Sequence, residues 1–468
     1  MGSDLIVDRR GYSGHTSPKG RGFPLGWMVR ISAVLHQDSL VPTSPIEPIL
    51  AYCIHLILWG SGAIFIHHMC KARAPSALNT AAQLLAIVVV AGLTFLVSDP
   101  PNIFQDFREA YFAAGSAVLR GPSELISELQ RGVEGFVNLP LIAYLFAPFA
   151  LLPDKVAAVL FTLVGLLCIA LAWWMLSRAL NLGRPDSMLL LLLFAACGPL
   201  HNSVKEGNTS HLILTLLIGA FWALKQHREL AAGVLLGLAA LLKPPLLLLG
   251  VYFFLRGRWR IVSGGAIACS LAALLSLLIF GWTAHVTWYS HVLAPYSDGQ
   301  ILAFNVQSMR AFVGRLVFEP AVLTDWSLQQ LPEYARHAST AATLALVGVT
   351  ITAFMRRQSS AQDAEVLDLE FSMVLVLACL ISPVSWSHYY CWLLIPIAVL
   401  MAPRRQQFAW PDRSVVYLCA ALLLPPILVV GQPVQGSWLY AKILVSSLFF
   451  SGLIAAFLLL RARWKTAA

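Results

Sequence analysis

Charged residues are scarce in this chain of 468 residues: Asp, Glu, Lys and Arg together make up 12% of it, whereas hydrophobic residues make up 58%. Its mean hydropathy is +0.73. No soluble globular domain is this apolar, so the composition predicts an integral membrane protein. Patterns of alternating ten-residue strands are also missing, which argues against an outer-membrane barrel.

Paired cysteines are missing as well. Most of the eight cysteines stand singly within apolar runs and none forms a Cys-x-x-Cys pair, which excludes a disulfide framework and a zinc site built on such pairs. No glycine-rich nucleotide loop or metal-ligand cluster is visible, so the sequence predicts no nucleotide ligand, no cofactor and no divalent metal. Residues 1–29 lack the pattern of a signal peptide, which predicts insertion through the first span.

The net charge of +9 first suggests a nucleic-acid partner, but the cations cluster between apolar runs, for example at Arg178 and Arg184, at Arg256, Arg258 and Arg260, and at Arg461, Arg463 and Lys465. This spacing is typical of the positive-inside pattern of membrane proteins. It predicts membrane lipids as partners and no nucleic acid.

Apolar runs follow one another along almost the whole chain and predict one all-α polytopic bundle of roughly 12–13 transmembrane helices with two long extracytoplasmic loops. We expect four parts: a flexible or interfacial tail (1–48), an extra span with a basic link (49–78), a catalytic membrane core (79–402), and C-terminal spans with a basic tail (403–468).

Within the core, four local predictions concern the candidate site. An amphipathic helix is expected near Phe107 to Arg120, and a re-entrant segment at 139–152 between two prolines. Residues 187–200 are expected to form one span. Lys243-Pro244-Pro245 is expected to break the helix that precedes it, because prolines cannot continue it.

Asp106 is the leading catalytic candidate. It follows the apolar run from Thr80 to Val97, which is long enough to cross a bilayer, so its carboxylate is expected just outside the membrane. Two ordinary interpretations stay open: a solvated loop acid, or the N-cap of the helix that follows.

Further polar or aromatic candidates occur at predicted span ends on the face opposite the basic clusters: Arg108, Tyr111, His201, Lys205, Glu206, Asn208, Lys243, Asn305, Gln307, Trp386 and His388. Ionisable groups at such places are expensive to desolvate unless they meet a partner or ligand. Singly, each has an alternative role: Lys205 with Glu206 as an ion pair, Lys243 reaching to the interface, His388 within an aromatic belt. Together, a carboxylate, fixed cations and aromatic rings are what transfer of a sugar from a lipid phosphate requires.

Several stretches resemble the GT-C glycosyltransferases of the GT87 type over about Thr80 to Leu400. They are Asp106-Phe107 with Tyr111-Phe112-Ala113-Ala114, Ala147-Pro148-Phe149-Ala150-Leu151-Leu152-Pro153, Glu206-Gly207-Asn208, Leu241-Leu242-Lys243-Pro244, and Ser382-Pro383-Val384-Ser385-Trp386-Ser387-His388-Tyr389-Tyr390. The resemblance implies that Asp106 is the general base, that Lys243 and His388 contact the donor phosphate or sugar, and that Asn208 lines the pocket. Two motifs depart from the family pattern, at Asn138-Leu139-Pro140 and at Asn305-Val306-Gln307-Ser308, and the resemblance implies that substrate identity is set at these places.

We therefore expect an inverting membrane glycosyltransferase that moves mannose or another hexose or pentose from a polyprenyl monophosphate to a lipid or glycan acceptor. Lys205 and Trp386 are further candidates for binding the donor. The expected location is a bacterial plasma membrane, with the site facing the periplasm or the cell exterior. The alternatives are a transporter or flippase of lipid-linked sugars, which needs no general base, and a ligase or polymerase acting on diphosphate-linked glycans.

Overall fold

The computed structural model describes residues 46–70, 77–97, 103–356, 363–402, 410–424 and 441–466. Helices account for nearly all of its regular structure, and pairing between extended segments is limited in these residues to two isolated antiparallel bridges. The protein is an all-α polytopic membrane protein. The predicted tail at 1–48 lies almost wholly outside the described residues, as do most of the basic link and part of the C-terminal spans.

The α-helices, numbered in chain order, are α1 (Ile46–Cys70), α2 (Ala77–Val97), α3 (Ala113–Arg120), α4 (Leu125–Gln130), α5 (Ala143–Ala150), α6 (Asp154–Ala179), α7 (Arg184–Ala196), α8 (Gly198–Glu206), α9 (Ser210–Lys225), α10 (Glu229–Leu242), α11 (Leu247–Leu255), α12 (Trp259–Trp288), α13 (Pro295–Asp298), α14 (Met309–Val317), α15 (Glu333–Met355), α16 (Asp363–Ile381), α17 (Leu394–Met401), α18 (Trp410–Ala421) and α19 (Ser447–Lys465). Within the described residues, four helical stretches are long and apolar enough to cross a bilayer, and the bent pair α7 and α8 makes a fifth. Several helices are shorter, so the predicted 12–13 crossings remain a prediction.

Small residues allow neighbouring helices to pack closely. A Cβ added at Gly233 of α10 would lie 2.0 Å from the carbonyl oxygen of Ile261 in α12, and one at Gly264 would lie 2.3 Å from that of Leu230. Helices in membranes associate through such backbone contacts, since lipid offers no hydrophobic drive between them. The α10 and α12 pair therefore forms a close-packed wall beside the break at Lys243.

Two predictions about the core helices have different outcomes. The break after α10 is confirmed: Lys243 is extended (φ −138°, ψ 95°), and Pro244–Leu246 starts a separate short helical segment. The span predicted at 187–200 corresponds to a bent pair of helices, α7 and α8, which together are long and apolar enough for one crossing. The chain bends by 51° between α7 and α8, with Cys197 extended, because Pro199 lacks the amide proton that a continuous helix needs.

The two segments predicted to form the long loops are more helical than expected. The predicted helix near Phe107 to Arg120 is confirmed, although its first part, Phe107–Phe112, is a π-helical turn. The re-entrant segment forms a short 3₁₀ turn at Pro140–Ile142 and then α5. In the second loop, predicted at 281–338, α12 continues beyond a kink at Gly281, and α14 and the start of α15 lie in the same stretch.

Candidate active site

Asp106 lies at the start of the π-helical turn, in contact with the end of α8. Its backbone is helical (φ −58°, ψ −39°) and its side chain makes no capping hydrogen bond, so the N-cap interpretation is wrong. The side chain is half-buried, which also argues against a solvated loop acid. The backbone N–H of Phe104 donates to the carbonyl oxygen of Lys205 at 2.7 Å, and this bond holds the turn against α8.

Gly207 makes this close approach possible. It ends α8 in the left-handed conformation (φ 68°), and a Cβ at this position would lie 2.5 Å from Cβ of Phe107. Any other residue would be strained there and would push the turn away. Consequently the residue after Gly207, Asn208, reaches the residue before Phe107, Asp106.

Asn208 donates a hydrogen bond from Nδ2 to Oδ2 of Asp106 at 2.6 Å. Its other amide atom, Oδ1, accepts from the backbone N–H and the hydroxyl of Ser210, both at 3.0 Å. These two acceptor contacts fix the orientation of the amide, so that its N–H group points at the carboxylate. A donor in this position stabilises the ionised form of Asp106.

Glu206 and His388 complete a three-residue cluster with Asp106. Oε2 of Glu206 lies 3.4 Å from Nδ1 of His388, and one possible ligand atom from each of the three residues lies within 4.8 Å of the others. Nε2 of His388 is buried and has no hydrogen-bond partner among the described residues. Two carboxylates and an imidazole are suitable ligands for a divalent cation, so these are the residues of the site able to hold one.

The position of His388 depends on a pairing between two distant loops. The backbone N–H of Gln307 donates to the carbonyl oxygen of Ser385, and that of Ser387 donates to the carbonyl oxygen of Asn305, both at 2.7 Å. The Gln307 side-chain amide donates to the carbonyl oxygens of Phe304 and Val445. Asn305 and Gln307 were predicted to line the substrate cavity. In the structure they hold the His388 segment in place, through the backbone pairing and the side-chain hydrogen bonds just described.

Lys243 approaches the cluster from the break after α10. Its side chain is buried, with Nζ 4.8 Å from the ring centre of Tyr389. Asn138 lies beside this break, because its Nδ2 donates to the carbonyl oxygen of Leu242 at 2.7 Å and satisfies the end of the helix. The buried ammonium group is close enough to Asp106 and Glu206 for its charge to act on both carboxylates.

The environment of Asp106 shifts its protonation towards neutral pH. Burial raises the pKa of Asp106 to about 6 and the charge of Glu206 adds to the rise, whereas the Asn208 hydrogen bond and the charge of Lys243 oppose it. A carboxylate with a pKa near the working pH is a better proton acceptor than one with the ordinary value. The group is thus suited to general-base chemistry.

The other predicted residues are distributed around this cluster. Arg108 is largely exposed and pairs with Asp154 at 2.9 Å. His201 contacts the carbonyl oxygen of Ala195 through Nε2 at 2.8 Å, and Lys205 places Nζ 4.5 Å from the ring centre of Phe95. The ring of Trp386 lies nearly parallel to that of His388, with centres 6.4 Å apart.

Sequence reasoning missed several supporting residues. The Tyr111 hydroxyl, itself a predicted candidate, exchanges a hydrogen bond with Thr209 at 3.2 Å, and Asn202 donates to the Ser387 hydroxyl at 3.3 Å. The ring of Tyr389 packs against the ammonium group of Lys243. Tyr389 and Ser387 lie inside the quoted motif around His388, so that motif was the available signal. Asn202 and Thr209 stand in the polar stretch from His201 to Ser210 at a predicted span end, and that stretch was the signal for both.

Comparison with known proteins gives a family match. The model of glycosyltransferase family 87 matches residues 136–383. This segment contains Glu206, Asn208 and Lys243. Asp106 lies well before its start, and His388 lies shortly after its end.

Curated relatives match over most of the chain. A protein of Mycolicibacterium smegmatis, named polyprenol-phosphate-mannose-dependent alpha-(1-2)-phosphatidylinositol pentamannoside mannosyltransferase, is 26% identical over 410 residues, covering 80% of this chain and 91% of that protein. Its namesake from Mycobacterium tuberculosis is 23% identical over 416 residues, with 82% and 90% covered. A second protein of that species, named as the corresponding phosphatidylinositol mannoside mannosyltransferase, is 26% identical over 291 residues, covering 58% and 64%.

Proposed function

The chain belongs to glycosyltransferase family 87, and from this membership and the geometry of the site we propose that it transfers a sugar from a polyprenyl monophosphate to a lipid or glycan hydroxyl. Mannose is the first donor sugar to test, because the names of the relatives specify polyprenol-phosphate mannose. Those names also specify phosphatidylinositol mannosides, which makes a glycolipid the first acceptor to test.

Asp106 is the proposed general base. The observation that carries this role is the 2.6 Å hydrogen bond from Asn208 to Oδ2 of Asp106, since this donor holds one carboxylate oxygen in place and leaves the other to accept a proton. Asp106 takes the proton of the acceptor hydroxyl as its oxygen bonds to the anomeric carbon. The bond from that carbon to the phosphate oxygen breaks in the same step, and its electron pair leaves with the lipid phosphate. A single displacement of this kind inverts the anomeric configuration.

Lys243 and His388 are the proposed contacts of the departing phosphate. Lys243 supplies a buried positive charge beside the carboxylates, where its interaction with developing negative charge is stronger than in water. His388 presents the buried nitrogen Nε2, which has no partner in the described part of the chain. Trp386 and Tyr389 provide aromatic faces beside these two residues, suited to contact with a sugar ring.

We propose that the reaction proceeds without a divalent metal or a nucleotide-sugar donor. The support is Lys243, whose positive charge acts on the same carboxylates that a cation would need. The proposed location is a bacterial plasma membrane, with the cluster facing the periplasm or the cell exterior, because the basic clusters lie at the other ends of the spans.

Sugar transfer by the full-length protein tests the proposal. Purified protein in nanodiscs receives radiolabelled polyprenyl-phosphate mannose and a membrane lipid extract, and the initial rate is measured for wild type, Asp106→Asn and the control Glu109→Gln. Glu109 is an exposed acid one turn away. We expect Asp106→Asn to lower the rate by about 10² to 10⁴, the usual contribution of a general base, and Glu109→Gln to lower it less than about twofold.

Three other outcomes are informative. Transfer that persists in Asp106→Asn contradicts the base assignment. Donor binding without transfer, unchanged by the substitution and across acceptors, favours the transporter alternative. Loss of the wild-type rate in EDTA, restored by a divalent cation, contradicts the metal-free proposal and identifies Asp106, Glu206 and His388 as a metal site.

A further inference from the structure

A cavity lies at the junction of α6 and α7. It has a volume of about 470 Å³ and is lined by Trp173, Trp174, Ser177, Arg178, Asn181, Leu182, Arg184 and Ser187. Neither the proposed reaction nor the comparisons assign a role to it.

This cavity is separated from the candidate active site by the length of α6. The first residue of α6, Asp154, pairs with Arg108, which lies two positions after Asp106. The cavity begins near the other end of the same 26-residue helix, roughly 30 Å away at 1.5 Å per residue. It therefore lies on the face of the bundle that carries the basic clusters.

The charge of the cavity lining is positive. Two of its eight residues are arginines and none is acidic. Arg178 is exposed, and among the described residues no carboxylate pairs with it; Arg184 is bonded to the Thr80 hydroxyl, which holds its guanidinium in place. A guanidinium group matches the geometry of a phosphate with two parallel N–H donors.

The walls of the cavity are built from bonded and packed side chains. Trp173 donates from Nε1 to the carbonyl oxygen of Ser187 at 2.9 Å, and the Ser187 hydroxyl donates to that of Ser177 at 2.9 Å. Trp174 packs edge-on against Trp222, with ring centres 5.6 Å apart. Indole rings are preferred at the boundary between membrane and water, where one side is apolar and the other polar.

We propose that this cavity binds the phosphate headgroup of an anionic membrane phospholipid, with Arg178 and Arg184 on the phosphate and the two indoles against the apolar part next to it. The combination favours a lipid, since a free phosphate has no apolar part that could pack against Trp173 and Trp174. Anionic lipids are also enriched at the membrane face where basic clusters lie. The proposal does not depend on the proposed reaction.

Native mass spectrometry of the full-length protein in detergent tests this site. Phosphatidylglycerol and phosphatidylcholine with identical acyl chains are added in turn, and lipid retention is compared among wild type, Arg178→Gln, Arg178→Lys and the control Arg260→Gln. Arg260 is an exposed arginine of another basic cluster that does not line the cavity. Thermal melting checks that every variant is folded.

We expect wild type to retain phosphatidylglycerol about tenfold better than phosphatidylcholine, and Arg178→Gln to lose about that factor, in line with one charge-assisted contact. Arg178→Lys should recover part of the loss, and Arg260→Gln should behave as wild type. Equal retention of the two lipids, or an equal loss in Arg178→Gln and Arg260→Gln, overturns the proposal. Displacement of the lipid by millimolar inorganic phosphate reassigns the cavity to free phosphate and overturns the lipid assignment.

Discussion

Two clusters of buried charge, at opposite ends of the bundle, use carboxylates in contrasting ways. At the basic end, Glu370 accepts hydrogen bonds from the Tyr252 hydroxyl at 2.9 Å and from Nε of Arg463 at 2.8 Å, and it also pairs with Arg256. At the other end, Asp106 accepts one hydrogen bond within the described residues, from Asn208, and Glu206 makes a long contact of 3.4 Å with His388.

The difference separates a structural site from a reactive one. The donors around Glu370 come from α11 and α19, and its arginine partners also donate to carbonyl oxygens near the end of α15. This network therefore ties four helices together, because Glu370 belongs to α16. Around Asp106, Nε2 of His388 has no partner among the described residues. Unfilled hydrogen-bonding capacity in a buried site is what a substrate can occupy.

The largest effect is expected on stability, from Glu370→Gln. The substitution leaves the fully buried Arg463 without a charged partner, and breaking one member of a buried ion pair typically destabilises a protein by about 3 to 5 kcal/mol. Thermal unfolding in detergent measures it.

Asp106→Asn is the matched comparison for Glu370→Gln, since it neutralises a half-buried carboxylate at the other end of the bundle. We expect it to melt within a few degrees of wild type, because no cation among the described residues forms a direct ion pair with Asp106. If both variants melt alike, the two clusters do not differ as described.

The next largest effect is expected on sugar transfer, from Lys243→Met. Removing one group that stabilises developing charge usually lowers a rate by about 10² to 10³. Lys205→Met is the comparison, since Lys205 rests over the ring of Phe95; we expect it to lower the rate less than about threefold. Initial rates at saturating donor distinguish the two lysines, and equal losses would mean that Lys205 shares the role.

A smaller loss of activity is expected from Gly207→Ala. The added Cβ would lie 2.5 Å from Cβ of Phe107, so the turn that carries Asp106 has to move away from Asn208. We expect the rate to fall by at least about tenfold, since small displacements at a reacting centre have effects of this size or larger.

Gly257→Ala is the control for Gly207→Ala. Gly257 has nearly the same conformation (φ 67°), but the nearest atom to an added Cβ is 4.0 Å away. Both variants carry the strain of an alanine in the left-handed region, roughly 1 kcal/mol. Only in Gly207→Ala does the added Cβ also clash with another residue, Phe107. Similar transfer rates in Gly207→Ala and Gly257→Ala would contradict the role of the close contact between Gly207 and Phe107.

The smallest effect is a shift in pH dependence. Because the pKa of Asp106 is about 6, the carboxylate loses its negative charge as the pH falls through that value, and kcat/KM should decline on the acid side of pH 6.

The N–H of Asn208 stabilises the ionised form of Asp106, so Asn208→Ala raises the pKa of Asp106 and moves the acid limb of the kcat/KM profile to higher pH. Asn305→Ala, whose side chain does not contact Asp106, should leave the limb in place, and an unmoved limb in Asn208→Ala would contradict the coupling.

Local patterns along the chain were sufficient for several features. The double proline after Lys243 is enough to break a helix wherever it occurs, and the apolar spacing from Phe107 to Arg120 is enough to form one. Gly198-Pro199 carried the same kind of signal, and the span predicted from the apolar run at Ser187 is bent by 51° at that place. In each case the physical cause lies within a few residues of the feature.

The sequence by itself determined the membrane class, the helices and the residue types available for catalysis, since these follow from composition and from local backbone chemistry. Which of these residues lie in contact with one another was decided only by the tertiary structure. Asn208 contacts Asp106, which lies 102 positions earlier in the sequence. Glu206 contacts His388, 182 positions later, and not the adjacent Lys205. These contacts depend on the missing side chain at Gly207 and on the pairing of the Gln307 and Ser385 loops, and packing between distant segments has no periodicity that a single sequence displays.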